Sequence, residues 1–351
     1  MKKIDELRKQ IDELNFQILD LLSKRARVVG EIGRIKSKKG HEIFDPARES
    51  TMLKRILEKN PGPFPDEILV KLFKEIFKAS MLFMKEEEKE KLKVSRKYKK
   101  EDTIVEIGDV KIGAGHPYII AGPCSVESYE QLDETAAFLS KLGIKILRGG
   151  AFKPRTSPYS FQGLREKGLE ILKEIKNKYG MLIITEVMAS HDVEKVSEVA
   201  DILQIGARNM YHYELLKEVG RTNKPVFLKR SFMATLEEFL YSAEYIITRG
   251  NTNIILCERG IRTFERWTRN TLDISAIPIL KKESHLPVTV DVSHSTGRTD
   301  LASWVGRAAI AAGADGVMVE VHPNPAVALS DGDQQLNFQQ FNEFLEAISK
   351  A

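Results

Sequence analysis

Residues 4–35 place an apolar side chain at nearly every third or fourth position of the chain. These positions are Ile4, Leu7, Ile11, Leu14, Ile18, Leu21, Val28, Ile32 and Ile35. The spacing predicts one long amphipathic α-helix of about 50 Å, at a rise of 1.5 Å per residue. Arg25 occupies the one position that this apolar series skips. A helix of this length cannot bury its apolar face against the short segment that follows, so we expect a second subunit to cover it.

Two shorter helices follow the long one. Residues 41–46 interrupt the helical pattern, and residues 47–59 resume it. The proline-rich stretch 61–65 predicts a turn, after which residues 66–84 again have helical spacing. We therefore predict an all-α domain of three helices over residues 1–88.

A charged run and a short β-rich segment separate these helices from the rest of the chain. Residues 89–102 are mostly Lys, Arg, Glu and Asp, which predicts a solvated helix end and a linker. Residues 103–113 alternate apolar and polar side chains around Gly108 and Asp109. This pattern predicts a small β-hairpin that turns at these two residues.

From residue 118 onwards, short apolar runs alternate with stretches that are long enough for helices. The apolar runs are YIIAGPC, KILRGG, LIITEV, ILQIGAR, PVFLKR, NIILCERG, PVTVDVSH and GVMVEVHP. Eight βα units in about 230 residues predict an α/β fold, a (β/α)8 TIM barrel within a domain over residues 103–351. A doubly wound open sheet is the alternative, but eight nearly even repeats favour closure of the sheet.

Polar side chains stand at the carboxyl ends of all eight predicted strands, where a barrel of this type has its active site. They are Cys124, Arg148, Glu186, Arg208, Lys229 with Arg230, Glu258 with Arg259, His294, and Glu320 with His322. Any one of them could simply reach solvent at the end of its strand. A complete set of eight instead predicts a functional site.

One part of this set has the chemistry of a metal site. Cys124, His294 and Glu320 follow predicted strands, and Asp331 and Asp333 lie in the loop after the last strand. A thiolate, an imidazole and carboxylates on neighbouring strands suit a divalent transition metal. Such a mixed ligand set with an open position predicts a catalytic metal, which could act as a Lewis acid on a carbonyl group. The second cysteine, Cys257, is predicted to be a small buried apolar residue.

The other part of the set is cationic and predicts a substrate with several negative charges. Its members are Arg148, Lys153, Arg155, Arg208, Lys229 and Arg259. Six cations that face one cavity repel each other unless an anion binds between them. Guanidinium and ammonium groups suit phosphate and carboxylate oxygens, and six of them are enough for two phosphates and one carboxylate.

Composition excludes several other classes of function. The 54 basic and 50 acidic residues give a net charge of +4, which is too even to indicate a nucleic-acid-binding protein. No apolar run approaches the roughly 20 residues that a membrane-spanning helix needs. The amino-terminal residues lack the apolar core of a signal peptide, so we expect a cytoplasmic protein. With only two cysteines, the chain cannot form a disulfide framework.

Several segments of the second domain resemble 3-deoxy-D-arabino-heptulosonate 7-phosphate (DAHP) synthases. They are AGPCS (121–125), LRGGAFKPRTSPYSFQGL (147–164), QIGARN (204–209), LKR (228–230), ILCERGIRTFE (255–265), DVSHSTGR (291–298), VEVHPNP (319–325) and ALSDGDQQ (328–335). The resemblance implies that phosphoenolpyruvate and erythrose 4-phosphate condense with water to give DAHP and phosphate. The related synthases of 3-deoxy-D-manno-octulosonate 8-phosphate are the closest alternative, but the stretch KPRTSPYSFQG favours the heptulosonate enzymes.

The resemblance also implies a role for individual residues. It implies that Cys124, His294, Glu320 and Asp331 bind the metal, that Arg148, Lys153, Arg208, Lys229 and Arg259 bind phosphoenolpyruvate, and that Arg155, Thr156 and Ser157 bind the phosphate of the sugar. Lys153 is then a candidate proton donor, and Glu186 a candidate for positioning or activating water. Mn²⁺ is the first expectation for the metal, and Fe²⁺, Co²⁺ and Zn²⁺ are also compatible with this ligand set.

The amino-terminal helices resemble the all-helical chorismate mutases, which are dimers of three-helix chains. The matching pieces are LRKQIDELN, LLSKRARVVGEIGRIK and FDPARE. The resemblance implies that chorismate or prephenate binds to Arg8, Arg25, Lys36, Asp45, Arg48, Glu49 and the residue at position 84. That residue is Met84, where the family usually has Gln or Glu. Methionine cannot donate a hydrogen bond to the ether oxygen of the breaking bond, so we expect weak or absent mutase activity.

A mutase-like domain on a synthase of the same pathway predicts feedback inhibition by chorismate or prephenate. We expect a homodimer or a homotetramer. Two other functions stay open at this point. The helices could serve only for oligomerisation, or the barrel could bind sugar phosphates without catalysing a reaction.

Overall fold

The structure is a computed structural model. It describes residues 2–38, 45–89, 92–113, 115, 117–154, 157 and 159–350. The chain forms two compact units, Met1–Leu92 and Lys93–Ala351. Within the described residues, none of the helices combines the length and the apolar character that a membrane span requires.

The first unit consists of three helices. They are α1 (Lys2–Lys38), α2 (Pro46–Glu58) and α3 (Asp66–Lys89). The three predicted helices are confirmed, whereas most of the predicted break over 41–46 lies outside the described residues. Helix α2 begins where Asp45 accepts a hydrogen bond from the Arg48 backbone at 2.9 Å, with Pro46 in the first helical position. Both features favour a helix start.

The apolar face of α1 stays largely exposed within the described part of its own unit. Ile11 is 56% exposed and Leu21 is 64% exposed. Closer to its carboxyl end, α1 packs on α3, where Gly33 lies against the buried side chain of Met84. A Cβ atom at Gly33 would lie 3.1 Å from Cγ of Met84, so a small residue lets the two helices approach.

The second unit begins with a segment that packs on the barrel. The sequence predicted a solvated linker over 89–102, but the described residues 93–102 belong to this unit. Val94 is fully buried, and the backbone oxygen of Lys93 lies 2.7 Å from Nε2 of His285. The exposed lysine and arginine side chains of the segment conceal this anchoring in the sequence, because only one short stretch of it turns inward.

The predicted hairpin is confirmed as β1 (Val105–Ile107) and β2 (Val110–Ile112), which pair antiparallel. Its inward side chains, Val105 and Ile112, are fully buried. They join a core cluster with residues near the start of the barrel strands, such as Ile146 and Ile202. The hairpin therefore closes the amino-terminal end of the barrel.

Eight parallel strands form a closed barrel, as the sequence predicted. The strands are β3 (Tyr118–Gly122), β4 (Ile146–Arg148), β5 (Leu182–Glu186), β6 (Ile202–Ile205), β7 (Val226–Lys229), β8 (Ile254–Glu258), β9 (Val288–Asp291) and β10 (Gly316–Glu320). Strand β10 pairs with β3 and closes the sheet. The strands are buried on both faces, which explains why they appear in the sequence as continuous apolar runs.

Helices surround the barrel. They are α4 (Tyr129–Lys141), α5 (Glu166–Tyr179), α6 (Val193–Val199), α7 (Tyr213–Val219), α8 (Leu236–Ile247), α9 (Ala276–Glu283), α10 (Val292–Thr296), α11 (Ala302–Ala311) and α12 (Phe338–Ile348). Because all strands run in one direction, their carboxyl ends meet at one face of the barrel. Gly122 ends β3 there with φ +144°, and a Cβ atom on it would lie 2.0 Å from the carbonyl oxygen of Arg148. The close approach of β3 and β4 at this face therefore requires glycine.

Candidate active site

The carboxyl ends of the strands surround a cavity of about 270 Å³. Of the predicted site residues, those that line it are Arg148, Lys153, Ser157, Glu186, Arg208, Lys229, Arg259, His294 and Asp331. Cys124 and Glu320 are fully buried and contact these lining residues. Arg155 and Thr156 lie outside the described residues. The fold thus brings the described members of the predicted site together.

Some strand-end residues do not face this cavity. Arg230 donates to Glu258 at 2.8 Å and to Asp273 at 2.9 Å, so these two carboxylates neutralise its charge. His322 lies 3.5 Å from Glu127 on another side of the barrel rim. Arg230 therefore forms structural ion pairs, and neither Arg230 nor His322 lines the cavity.

Four potential metal ligands converge at one side of the cavity. Ligand atoms of Cys124, His294 and Asp331 all lie within 4.8 Å of one another. Nε2 of His294 lies 3.5 Å from Oε1 of Glu320 and 3.9 Å from Oδ2 of Asp331. One sulfur, one imidazole nitrogen and two carboxylates, from three strand ends and the loop after β10, fit a divalent transition metal.

His294 has the protonation state and the orientation that a metal ligand needs. Burial is the main cause that lowers its pKa to about 4, so the imidazole is neutral at pH 7. Its Nδ1 lies 2.8 Å from Oδ2 of Asp291, and its backbone N–H donates to Oδ1 of Asp291 at 2.9 Å. A proton on Nδ1 leaves the lone pair of Nε2 directed towards the cluster.

Cys124 is held by a cation. Burial, followed by the nearby Glu320, raises the pKa of its thiol to about 11. The ammonium group of Lys153 lies 3.0 Å from Sγ and 3.0 Å from the carbonyl oxygen of Cys124. The thiol must lose its proton to bind a metal, and the neighbouring ammonium group favours the thiolate that forms.

Two buried ion pairs cross the mouth of the barrel. Arg148 donates to Glu320, and Lys229 donates to Asp291. Burial alone would raise the pKa of Glu320, but His294 and Arg148 lower it to about 2. Against burial, His294 and Lys229 likewise hold the pKa of Asp291 well below its usual value, so both carboxylates are ionised at neutral pH.

Glu186 is a buried carboxylate among the residues that line the cavity. Its Oε2 accepts a hydrogen bond from Gln204 at 3.1 Å, whereas no group among the described residues hydrogen-bonds to Oε1. Burial raises the pKa of this carboxyl group. A Cβ atom at Gly206 would lie 2.1 Å from Oε1, so glycine at that position leaves room for the carboxylate.

The structure adds residues that the sequence did not single out. Asp291 precedes His294 by three positions, a spacing that could have indicated its role. Gln334 donates to Oε2 of Glu320 at 2.6 Å and accepts from Arg269 at 2.7 Å. Arg269 also pairs with Asp331 at 3.2 Å. These groups hold the candidate metal ligands in place, and only the folded loops reveal the contacts of Gln334 and Arg269.

The helical unit has a separate pocket of about 300 Å³. Of the predicted residues, Arg25, Lys36, Asp45, Arg48, Glu49 and Met84 line it. Arg8 does not, because it precedes Arg25 by 17 positions on one continuous helix, or about 25 Å. Ser80 and Phe77 are additional contacts: Arg25 donates to the Ser80 hydroxyl and lies over the Phe77 ring at 5.3 Å.

The contacts of Asp291 predict that it sets the metal affinity of the cluster. Asp291→Asn would remove the carboxylate that orients His294, and outer-sphere partners of this type change affinity about 10- to 100-fold. We expect a loss of that size in an equilibrium competition against a chelator. Asp300→Asn, at an exposed ion pair with Arg298, is the control and should leave the affinity unchanged. Equal affinities for the Asp291→Asn variant and the unaltered protein would contradict the assignment.

Comparisons with known proteins match both units of the chain to families. Residues 89–351 match the model of the DAHP synthetase I family, and residues 7–85 match that of chorismate mutase type II. The phospho-2-dehydro-3-deoxyheptonate aldolase of Thermotoga maritima is 64% identical over 257 residues, which cover 73% of this chain and 76% of the relative. A 2-dehydro-3-deoxyphosphooctonate aldolase of Desulfosudis oleivorans is 32% identical over 266 residues, covering 70% of this chain and 94% of the relative.

Solved structures extend the comparison to the fold. The crystal structure of the Thermotoga maritima DAHP synthase matches with a TM-score of 0.71 at 63% identity, covering 73% of this chain and 75% of that one. A truncated form of the Thermotoga maritima enzyme matches with a TM-score of 0.68 at 60% identity, covering 73% and 94%. The chain belongs to the DAHP synthetase I family and has a chorismate mutase type II domain at its amino-terminal end.

Proposed function

We propose that the barrel is a metal-dependent DAHP synthase, which forms DAHP and phosphate from phosphoenolpyruvate, erythrose 4-phosphate and water. The observation that carries this proposal is the convergence of a thiol, an imidazole and carboxylates on a cavity with cationic walls. The chain is 64% identical to the heptonate aldolase and 32% identical to the octonate aldolase, which supports erythrose 4-phosphate as the sugar substrate.

The cations of the cavity would bind phosphoenolpyruvate. Arg208 and Arg259 have no carboxylate within ion-pair distance among the described residues, so both are available to an anion. Lys153 lies between the cavity and the metal cluster. Arg148 and Lys229 line the same cavity while they neutralise buried carboxylates. Ser157 lines it too, and would contact the phosphate of the sugar together with Arg155 and Thr156.

The residues around the cavity suit each step of the condensation. When bound to the cluster, a divalent metal supplies Lewis-acid polarisation of the aldehyde. The methylene carbon of phosphoenolpyruvate forms the new bond to the aldehyde carbon, and Lys153 gives a proton to the aldehyde oxygen. This attack leaves a cationic centre on the adjacent carbon. Water positioned by Glu186 adds to that carbon and gives its first proton to the Glu186 carboxylate. Phosphate then leaves by cleavage of its C–O bond and takes the second proton of the added water, which leaves a ketone on that carbon.

The two buried cysteines allow a matched test of this proposal. Cys124→Ala removes the thiol ligand, so we expect loss of bound metal and a decrease of at least about 100-fold in phosphate release from the two substrates. Cys257→Ala, which removes the other fully buried thiol, should keep both metal and activity. A chelator should stop the reaction of the unaltered protein, and added Mn²⁺ should restore it. Full activity of Cys124→Ala without metal would contradict the proposal.

We further propose that the helical unit binds chorismate or prephenate and inhibits the barrel. Three cations, Arg25, Lys36 and Arg48, line its pocket and suit a dicarboxylate. Burial lowers the pKa of Arg25, which indicates a guanidinium group short of compensating charge. The match of residues 7–85 to chorismate mutase type II supports the same ligand class.

A dimer would complete this pocket. Arg8 lies too far along α1 to reach the pocket of its own chain, so a second copy packed along the exposed face of α1 would have to supply it. The half-exposed side chains Ile4, Leu7 and Ile11 on that face support such a pairing. Oligomerisation without ligand binding is the alternative, and the response to prephenate separates the two.

Inhibition by prephenate should depend on Arg25. We expect prephenate to lower the rate of phosphate release by the unaltered chain, because its carboxylates pair with the pocket cations. Arg25→Gln should abolish this effect and leave the uninhibited rate unchanged. Arg55→Gln, at an exposed position of α2 outside the pocket, should remain fully sensitive. Rates that do not respond to prephenate in any variant would leave oligomerisation as the role of the helices.

Met84 should limit the mutase activity of the helical unit. Its thioether lines the pocket but cannot donate a hydrogen bond to the breaking ether bond. We expect a low rate of conversion of chorismate to prephenate, and an increase of about 100-fold in Met84→Gln, since one transition-state donor is worth about that factor. Met52→Gln, at the same pocket, controls for added polarity and should bring no gain. A turnover of the unaltered chain equal to that of Met84→Gln would show that position 84 is not limiting.

A further inference from the structure

We propose that Phe232 is a positioning residue for phosphoenolpyruvate, whose ring holds the guanidinium groups of Arg208 and Arg259 together at the cavity. This inference rests on the proposed synthase function. Phe232 lies in the loop after β7 and is an aromatic residue in a cavity lined mainly by charged side chains. Neither the sequence motifs nor the ligand chemistry assigns it a role.

Three arginines surround this one ring. The central guanidinium carbons lie 5.6 Å from the ring centroid for Arg208, 5.2 Å for Arg259 and 4.8 Å for Arg262. All three distances are within the range of cation–π attraction. The main chain of Phe232 is fixed as well, because the backbone N–H of Arg262 donates to the carbonyl oxygen of Phe232 at 2.8 Å.

Arg259 shows why the ring is needed. It is only 4% exposed, and burial lowers the pKa of its guanidinium group. The other deeply buried arginines have carboxylate partners: Arg148 pairs with Glu320, and Arg230 pairs with Glu258 and Asp273. Among the described residues, Arg259 has no such partner, and its hydrogen bond to the Gly260 carbonyl is long at 3.5 Å.

An aromatic face can stabilise these cations without neutralising them. A carboxylate at position 232 would form ion pairs with the arginines and compete with the phosphate or carboxylate of the substrate. The negative face of a phenyl ring attracts a guanidinium group but leaves its N–H donors free. Phe232 thereby reduces the repulsion between Arg208 and Arg259 before the substrate binds, and keeps their donors directed into the cavity.

The role of the ring predicts a specific kinetic change. Phe232→Leu keeps an apolar side chain but removes the aromatic face, so the arginines separate and bind the substrate less well. We expect the KM for phosphoenolpyruvate to rise about three- to tenfold, in line with the usual strength of cation–π contacts. The kcat and the KM for erythrose 4-phosphate should stay within about twofold, since the metal cluster is untouched. Phe232→Tyr should retain the original KM for phosphoenolpyruvate.

Phe264→Leu is the matched control. Phe264 lies in the loop after β8, is 96% exposed, and has no cation–π contact among the described residues. Its replacement should change none of the kinetic constants. An unchanged KM for phosphoenolpyruvate in Phe232→Leu would overturn the proposal. A fall in kcat with unchanged KM would overturn it as well, because it would place Phe232 in the chemical step or in general packing.

Fluorination of the ring separates electrostatics from shape. Phenylalanine analogues at position 232 that carry one to five fluorine atoms keep a ring of nearly the same size. Each added fluorine makes the electrostatic potential of the ring face less negative. A KM for phosphoenolpyruvate that rises stepwise with fluorination supports the cation–π role, and a constant KM overturns it.

The activity of the unaltered chain separates failure of this inference from failure of the proposed function. If the unaltered chain releases no phosphate from the two substrates, the proposed function fails. If it is an active synthase whose KM does not respond to changes at position 232, only the role of Phe232 is refuted.

Discussion

The mouth of the barrel depends on the neutralisation of buried carboxylates by buried cations. Glu320 and Asp291 have no exposed surface, and an unpaired charge in that setting costs several kcal/mol. Arg148 lies against the first carboxylate and Lys229 against the second. Each pair joins two different strands, so the same contacts link strand ends at the mouth of the barrel and fix side chains around the cavity.

These pairs also divide the cations and carboxylates between two tasks. Glu320 and His294 face the candidate metal site, and their other contacts are made by Arg148 and Asp291. Arg259, which has no carboxylate partner among the described residues, is available to an anionic substrate. Under the proposed function, the site thus separates a region for a divalent cation from a region for phosphate and carboxylate groups, although both lie within one small cavity.

The sequence predicted most of the fold and the groups that face the cavity. Parallel strands buried on both faces appear as apolar runs, and the residue after each run points to the carboxyl end of the barrel, which is how Cys124 and His294 could be found. Other contacts could not be found from the sequence, since the hydrogen bond between Gln334 and Glu320 depends on loop conformation. The burial of Val94 was likewise concealed by its charged neighbours. By contrast, the distance between Arg8 and Arg25 along the predicted helix α1 was enough to exclude Arg8 from the pocket of its own chain.

X-ray absorption spectroscopy of the full chain loaded with Zn²⁺ tests the central claim most directly. Coordination by Cys124, His294, Glu320 and Asp331 predicts one sulfur scatterer at about 2.3 Å and nitrogen or oxygen scatterers at about 2.0–2.2 Å. The sulfur shell should disappear in the Cys124→Ala variant and persist in Cys257→Ala. A first shell of nitrogen and oxygen alone in the unaltered protein, or a sulfur shell that survives the loss of Cys124, would contradict the account.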